Sequence, residues 1–363
     1  MTHNVLIIGT GVSGLSAALT LLQRGYAVTL LDRGKVGGES SWAGGGILSP
    51  LLPWDYAEPV IDLALRSMAV YPDWIKMLEQ ESGLSTEYWP CGMRVLMSGV
   101  KDTTLDWCRS HELTASLTHE GLWLPEIAQV RNPRLIEALR VAVLKLGGTI
   151  HTACEVTAVT ASATRLSAVH TDSDTFTADH YVLATGAWSG SFLPDVESIS
   201  TRGLTSSPNI RPIRGQMLLF KLAPGVLDTI IYRNGLYLIP RRDGHVLVGS
   251  TLEDVGFDKS IDISTCQRLH AEAAELLPVL ATVQPIQHWA GLRPGSPGNI
   301  PLIDRHPDFD NVFINTGHYR YGVTMAPASA ELMVDLIEGN TPALDPEPYS
   351  WRAALARSWG DTL

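Results

Sequence analysis

No stretch of this chain approaches the ~18 uninterrupted apolar residues that a membrane-crossing helix needs, so nothing in it reads as a transmembrane helix. Cysteine is scarce. Cys91, Cys108, Cys154 and Cys266 form no CxxC pair and have no metal-ligand spacing, which argues against a disulfide framework or a zinc site and leaves reduced thiols of the cytosolic kind. Basic charge is short as well. Lys+Arg 27 against Asp+Glu 38 gives a formal charge of -11, which argues against nucleic acid as a partner. There is no P-loop, no Ser-His-Asp arrangement and no clustered metal-binding motif, so chemistry led by those groups has no carrier here. Low-complexity segments and internal repeats are also missing. The sequence opens on an apolar strand with no room before it for a signal peptide, which sets a cytoplasmic expectation.

What is present is a globular composition. Hydrophobic residues make up 45% and charged residues 18% of 363 positions, more chain than one core usually serves, so two domains are expected. The first 34 residues carry the strongest signal. Val5-Leu6-Ile7-Ile8 is wholly apolar and partly β-branched, as in a strand buried on both faces of a parallel sheet. Gly9-x-Gly11-x-x-Gly14 follows, then a helix from Leu15 to Arg24 stopped by Gly25, then a second buried strand at Ala27–Leu31 and Asp32 at its end. Gly9 permits the tight turn, Gly11 lets a pyrophosphate approach the backbone, and Gly14 lets helix and strand pack closely. The helix N-terminus presents free N–H groups to phosphate. Asp32, 18 positions beyond Gly14, suits a ribose 2′-OH. Strand, turn, helix, strand and acid together predict dinucleotide binding.

The loop Arg33 to Pro53 is rich in small residues, Ser40-Ser41-Trp42-Ala43-Gly44-Gly45-Gly46-Ile47, and suits close approach to a flat cofactor ring. Tyr56 to Leu78 reads as helix, with Pro72 expected to kink or break it. Strands are predicted at Met93–Met97, Thr149–His151, Val156–Val159 and Tyr181 onward into a glycine turn, and helices at 101–112 and from Arg131 to Lys145. From Pro212 the pattern becomes short strands with tight turns (Gln216–Phe220, Ile230–Tyr232, Tyr237–Pro240, His245–Gly249), which predicts an antiparallel sheet. A helix is predicted at Ser264–Leu277, a last buried strand at Val312–Asn315, then the loop Gly317-His318-Tyr319-Arg320-Tyr321-Gly322 and a helix from Ala326 to Glu338.

Eight segments in this order, the N-terminal βαβ unit, SSWAGGGILSP, ATGAWSG, PIRGQM, YLIPRRDG, LVGSTLED, HWAGLRPG and NTGHYRYGVTMAPASA, make the chain similar to the flavin amine oxidases of the D-amino-acid oxidase family. More narrowly it resembles the glycine oxidases that serve thiamine biosynthesis. The resemblance implies an α/β plus α+β fold, a Rossmann-like FAD-binding domain with a mostly antiparallel substrate domain. The expected division is 1–83, 131–205 and 288–345 for the FAD-binding domain, 84–130 and 206–287 for the substrate domain, and 346–363 as a tail. FAD is expected to be noncovalent, because relatives that attach flavin use a cysteine near the last loop and none follows Cys266.

The resemblance also implies the site. Arg293 in Gly291–Gly295 matches the arginine that holds the substrate carboxylate, a task suited to its planar fork. Tyr237 matches a tyrosine whose hydroxyl meets the same carboxylate, and Arg320 borders the pocket. Ile47 and Leu252 match positions that narrow it. Cofactor contacts are expected at Gly9, Gly11, Val12 and Gly14; at Asp32 and Arg33; at Ser40, Ser41, Gly44, Gly45, Gly46 and Ile47; at Val156, through its backbone to the adenine; at Thr185, Gly186 and Trp188; and at His318, Tyr319, Arg320, Tyr321, Gly322, Val323 and Thr324. No residue is assigned as catalytic acid or base, and no metal is expected. The implied reaction passes hydride from the substrate Cα to flavin N5 and ends in imine, ammonia and hydrogen peroxide. The implied partners are a small amino acid and oxygen, in a homotetramer. Three alternatives stay open: a dehydrogenase with a non-oxygen acceptor, an oxidase of a larger N-substituted glycine, and a tRNA-modifying flavoprotein.

Overall fold

Val5 and Ile7 point into one buried cluster while Leu6 and Ile8 point into another, so the first strand is covered on both faces. The computed structural model describes residues 3–50, 52–97, 102–162, 164–192 and 207–360. That first strand, Asn4–Ile8, lies inside a six-stranded sheet in the order Leu302–Arg305, Val312–Thr316, His180–Leu183, Asn4–Ile8, Ala27–Leu31, Thr149–His151. All neighbours are parallel except Leu302–Arg305, which runs antiparallel to Val312–Thr316. Val5, Ile7, Val28 and Leu30 meet a layer of helices, including Val12–Gln23, Asn132–Lys145 and Gly322–Glu338. Leu6, Ile8 and Leu31 meet a three-stranded antiparallel sheet through Leu166 and Val169. The fold is therefore a Rossmann-like α/β unit joined to a larger mixed sheet.

That second sheet has eight strands, ordered Gln287–Gly295, Arg211–Lys221, His245–Gly249, Leu236–Pro240, Ile230–Arg233, Met93–Val95, Gly121–Leu124, Ser116–Thr118. Only the Ile230–Arg233/Met93–Val95 pair is parallel. Strand alternation sorts its residues. Leu218, Phe220, Val246 and Val248 pack against the helix Ile263–Leu276, and Met217, Ile239 and Leu247 join the core on the opposite face.

Three sequence expectations need correction. The boundary expected at 288 falls inside the strand Gln287–Gly295, whose whole length pairs with Arg211–Lys221 in the eight-stranded sheet. Its Trp-Ala-Gly-Leu-Arg-Pro-Gly run lacks the alternation of a simple strand, which hid it. The boundary at 205/206 lies outside the described residues. Pro72 does not break its helix, which runs unbroken over Glu58–Ser82. Pro72 is exposed, so its ring projects into water, and buried Ile61, Leu63, Tyr71, Ile75 and Leu78 on both sides hold the helix against a cost of about 3 kcal/mol. The last helix starts at Gly322, one turn ahead of the expected Ala326, with Pro327 inside it. The Tyr71 hydroxyl donates to Val323 O at 3.0 Å, the carbonyl that the missing Pro327 N–H leaves unused. Smaller differences are a strand at Ala158–Ser162 where Val156–Val159 was expected, and a tail that carries the helix Trp351–Ala356, pinned by Trp351 N to Asp304 Oδ2 at 2.8 Å.

Candidate active site

The turn after the first strand has the geometry its glycines require. Gly9 has φ +109°, and a Cβ there would stand 2.3 Å from Ala184 O. A Cβ on Gly14 would stand 2.0 Å from Gly9 O, so Gly14 is a helix-packing residue and does not line the cleft, contrary to its expected cofactor contact. A Cβ on Gly11 would meet only Ser41 Oγ, at 3.2 Å, and otherwise project into open space above the start of the helix Val12–Gln23. That space belongs to a long cleft between the two sheets.

Apart from Gly14 and Leu252, the residues expected in the site line this cleft: Val12, Asp32, Arg33, Ser40, Ser41, Gly44, Gly45, Gly46, Ile47, Val156, Thr185, Gly186, Trp188, Tyr237, Arg293, and His318 through Thr324, together with Gly9 and Gly11. Leu252 does not line it and is exposed instead. Asp32 accepts from Thr10 N at 2.8 Å and Thr10 Oγ1 at 2.5 Å through Oδ2, and from Gly34 N at 2.8 Å through Oδ1. The carboxylate is thus fixed by three donors, with capacity remaining on Oδ1 for a further one. The Arg33 guanidinium lies 3.9 Å over the Trp188 ring, and Trp188 stacks on Phe257. His318 is buried, which pushes its pKa down to about 4. Its Nδ1 lies 3.4 Å from the Ser13 hydroxyl and its Nε2 2.9 Å from that of Ser329, so the ring ties the start of the helix Val12–Gln23 to the middle of the helix Gly322–Glu338.

The other end of the cleft carries cations. Arg293 Nη2 donates to Ser250 Oγ at 2.6 Å and Nη1 to Thr251 O at 3.2 Å, and no carboxylate among the described residues lies within ion-pair reach. Its guanidinium sits on Gly215, where a Cβ would be 2.2 Å from Nη1. The Tyr237 hydroxyl donates to Met217 Sδ at 3.3 Å. Arg320 donates to the Tyr56 hydroxyl at 3.3 Å, and the Tyr56 and Tyr321 hydroxyls bond to each other. Tyr319 is buried, and its hydroxyl has no partner among the described residues. Among the described residues no group of His, Cys, Asp and Glu could hold a metal ion.

The structure adds three residues that the sequence reading missed. Asn315 lines the cleft with both carboxamide atoms buried and unpartnered among the described residues. Ser250 holds Arg293 and faces the same cleft. Arg241 is buried, which pushes its pKa down to about 10, and it donates to Gly45 O and Val130 O at 2.9 Å and to Gln129 Oε1, fixing the glycine loop. Ser250 and Arg241 stand inside two of the quoted motifs, LVGSTLED and YLIPRRDG, which signalled the segments but not the roles. Asn315 opens a third.

A helix N-terminus without a side-chain cap, a glycine open to the cleft and an orphaned buried carboxamide are a fit for a dinucleotide. The family model described as FAD dependent oxidoreductase matches residues 4–336. The chain belongs to the FAD-dependent oxidoreductases. A glycine oxidase of Pseudomonas aeruginosa is 41% identical, over 96% of this chain and 99% of that one. The crystal structure of glycine oxidase from Geobacillus kaustophilus superposes with a TM-score of 0.85 at 25% identity, over 96% of this chain and 99% of that one. A bifunctional protein ThiO/ThiG of Trichormus variabilis is 32% identical over 93% of this chain, which covers 53% of its length.

FAD is therefore the cofactor of this flavoenzyme, an amino-acid oxidase of the glycine oxidase type. The turn at Gly9–Val12 and the carboxylate of Asp32 line the cleft beside the start of the helix Val12–Gln23. The uncapped start of Gly322–Glu338, following the loop 317–321, presents N–H groups and the positive end of the helix dipole to the cleft. No described helix is long and apolar enough to cross a membrane.

Proposed function

We propose that this flavoenzyme oxidises glycine, sarcosine and small D-amino acids with oxygen as acceptor. The products are the imine, which hydrolyses to glyoxylate or a keto acid with ammonia, and hydrogen peroxide. On this reading the glycine imine supplies thiazole formation in thiamine synthesis. Bound FAD supplies the hydride acceptor, at N5. The protein's task is orientation. Arg293 and Tyr237 hold the substrate carboxylate at one end, and the loop Gly44–Ile47, braced by Arg241, limits the room at the other. The observation that carries the reading is Arg293, a guanidinium in the cleft whose bonds among the described residues go to a neutral hydroxyl and a carbonyl. Two N–H groups are used there, which leaves others for a carboxylate.

The test is peroxide release in air from FAD-loaded protein with glycine, sarcosine, D-alanine, D-proline and an L-amino acid, beside an Arg293→Ala control. Activity on glycine and sarcosine that disappears in the control supports the reading, and silence on every amine with FAD still bound overturns it.

One observation favours a second reading, an N-substituted glycine with a further anionic group. Arg320 also has no carboxylate partner among the described residues, and the orphaned hydroxyl of Tyr319 feels the charges of both Arg320 and Arg293. Sarcosine and N-carboxymethylglycine compared in the native enzyme and in Arg320→Met separate the two readings. Only the second has the dianion preferred and that preference lost in the variant.

A further inference from the structure

The segments PIRGQM and LVGSTLED lie against each other directly behind Arg293. Arg214 and Glu253 form an isolated antiparallel bridge, with Arg214 N to Glu253 O at 2.9 Å and Glu253 N to Arg214 O at 3.0 Å. On the strand Arg211–Lys221, Gly215 faces the cleft and seats Arg293, whereas Arg214 and Gln216 face away. Two acids of the neighbouring segment, Glu253 and Asp258, are held on that far face. Buried Arg214 takes Glu253 Oε2 through Nε at 3.0 Å and through Nη2, and Asp258 Oδ2 through Nη1 at 2.7 Å. Asp254 is held apart from them, paired at 3.7 Å with Arg211, which shares the face of Gly215 at the start of the strand.

Thr251 joins the two faces. Its carbonyl accepts Arg293 Nη1 at 3.2 Å, while its hydroxyl accepts Gln216 N at 2.9 Å and donates to Glu253 Oε1. Glu253 Oε1 also accepts Gln216 Nε2 at 3.0 Å. A carboxylate acceptor fixes the rotation of the hydroxyl more firmly than a neutral one. With the hydroxyl and the flanking bridge both fixed, the Thr251 carbonyl and the Ser250 hydroxyl have one placement relative to Gly215.

We infer that Glu253, held by Arg214, is a positioning residue. Through Thr251 it aims the Arg293 guanidinium at the substrate carboxylate and keeps the nearby negative charge off it. An acid within reach of Arg293 would compete with substrate for the same fork. Among the described residues the guanidinium is steadied by neutral oxygens, and Glu253 and Asp258 are bound to Arg214 on the other side of the sheet. This inference rests on the proposed role of Arg293 as carboxylate anchor.

The experiment measures KM and kcat for glycine, together with FAD content, in Glu253→Gln, Thr251→Val and Thr251→Ser, and repeats Glu253→Gln in an Arg293→Lys background. Positioning through Thr251 predicts that Glu253→Gln and Thr251→Val each raise KM about tenfold, with kcat within about twofold and FAD retained. Thr251→Ser, which keeps the hydroxyl, retains the native KM. In the Arg293→Lys background Glu253→Gln adds less than about twofold, because the group it aims is no longer there. Equal effects of Glu253→Gln in both backgrounds, or a native KM in Thr251→Val, overturn the inference. If Glu253→Gln does not fold, the Thr251 pair decides alone. An unchanged KM in Arg293→Lys itself refutes the anchor reading instead, so the two failures are distinct.

Discussion

At the scale of single residues, the most consequential position beside Arg293 is one with no side chain. A methyl group on Gly215 would stand 2.2 Å from Nη1, 2.3 Å from Nη2 and 2.5 Å from Cζ of Arg293, so the guanidinium has to move. The backbone at Gly215 is ordinary strand, and alanine fits it without strain. Gly215→Ala is therefore expected to fold, to bind FAD as the native enzyme does, and to raise KM for every carboxylate substrate by about tenfold or more, since a displacement near 1 Å in a binding fork has effects of that order. Steady-state kinetics beside a flavin absorbance spectrum checks it; a native KM would remove Gly215 from the anchor. Arg293 itself was legible because Gly-Leu-Arg-Pro-Gly is a compact motif. Gly215, Ser250 and Glu253 were not, since each meets its partner across at least 35 positions of chain and only the sheet register brings them together. Asn315 had no signal beyond its place at the end of a strand.

At the scale of elements, two prolines shape the helix pair that backs the cleft. Read locally, each proline removes a hydrogen bond and disfavours a helix, and the sequence reading applied that rule to Pro72. Tertiary contacts decide otherwise. Pro327 leaves Val323 O without its helical donor, and Tyr71 from the facing helix Glu58–Ser82 supplies a hydroxyl at 3.0 Å, while Ser67 accepts Ala328 N at 3.1 Å from the same face. Tyr71→Phe keeps the ring and leaves that carbonyl buried and unpaired. It is expected to lower the unfolding free energy by about 1–3 kcal/mol, with activity lost only in proportion to unfolding. Denaturant titration measures this, and a native midpoint would show that water replaces the hydroxyl. Pro72 has no such partner and is exposed, so Pro72→Ala restores a helical N–H and should stabilise by about 1–3 kcal/mol. The βαβ opening was readable without any partner because strand, glycine turn and helix are successive in sequence. The strand Gln287–Gly295 was not, because its evidence lies in the paired strand Arg211–Lys221.

At the scale of the whole molecule, two buried histidines set how the fold responds to mild acid. His318 lies at the cleft between Ser13 and Ser329 of two helices, and His306 sits between Phe309 and Trp351 near the C-terminal helix, remote from the cleft lining. Burial pushes both pKa values down to about 4 from an ordinary 6.5. The unfolded chain therefore binds protons that the folded chain refuses, and stability is full above pH 6.5 and falls as pH drops from 6.5 toward 4. Between pH 7 and pH 5 the loss is about 2 kcal/mol per histidine, from the difference in proton binding over that span. Half-buried Asp304, whose pKa is raised by desolvation, acts with the opposite sign, while His180 and His288, whose pKa values are also lowered by burial, act with the same sign. Unfolding of the FAD-loaded enzyme by denaturant at pH 7 and pH 5, beside His306→Phe, provides the check. The variant should lose about 2 kcal/mol of the native protein's pH dependence whatever its absolute stability, because the packing lost or gained by phenylalanine is the same at both pH values. An unchanged pH dependence in the variant would remove His306 from the groups that make the fold sensitive to acid.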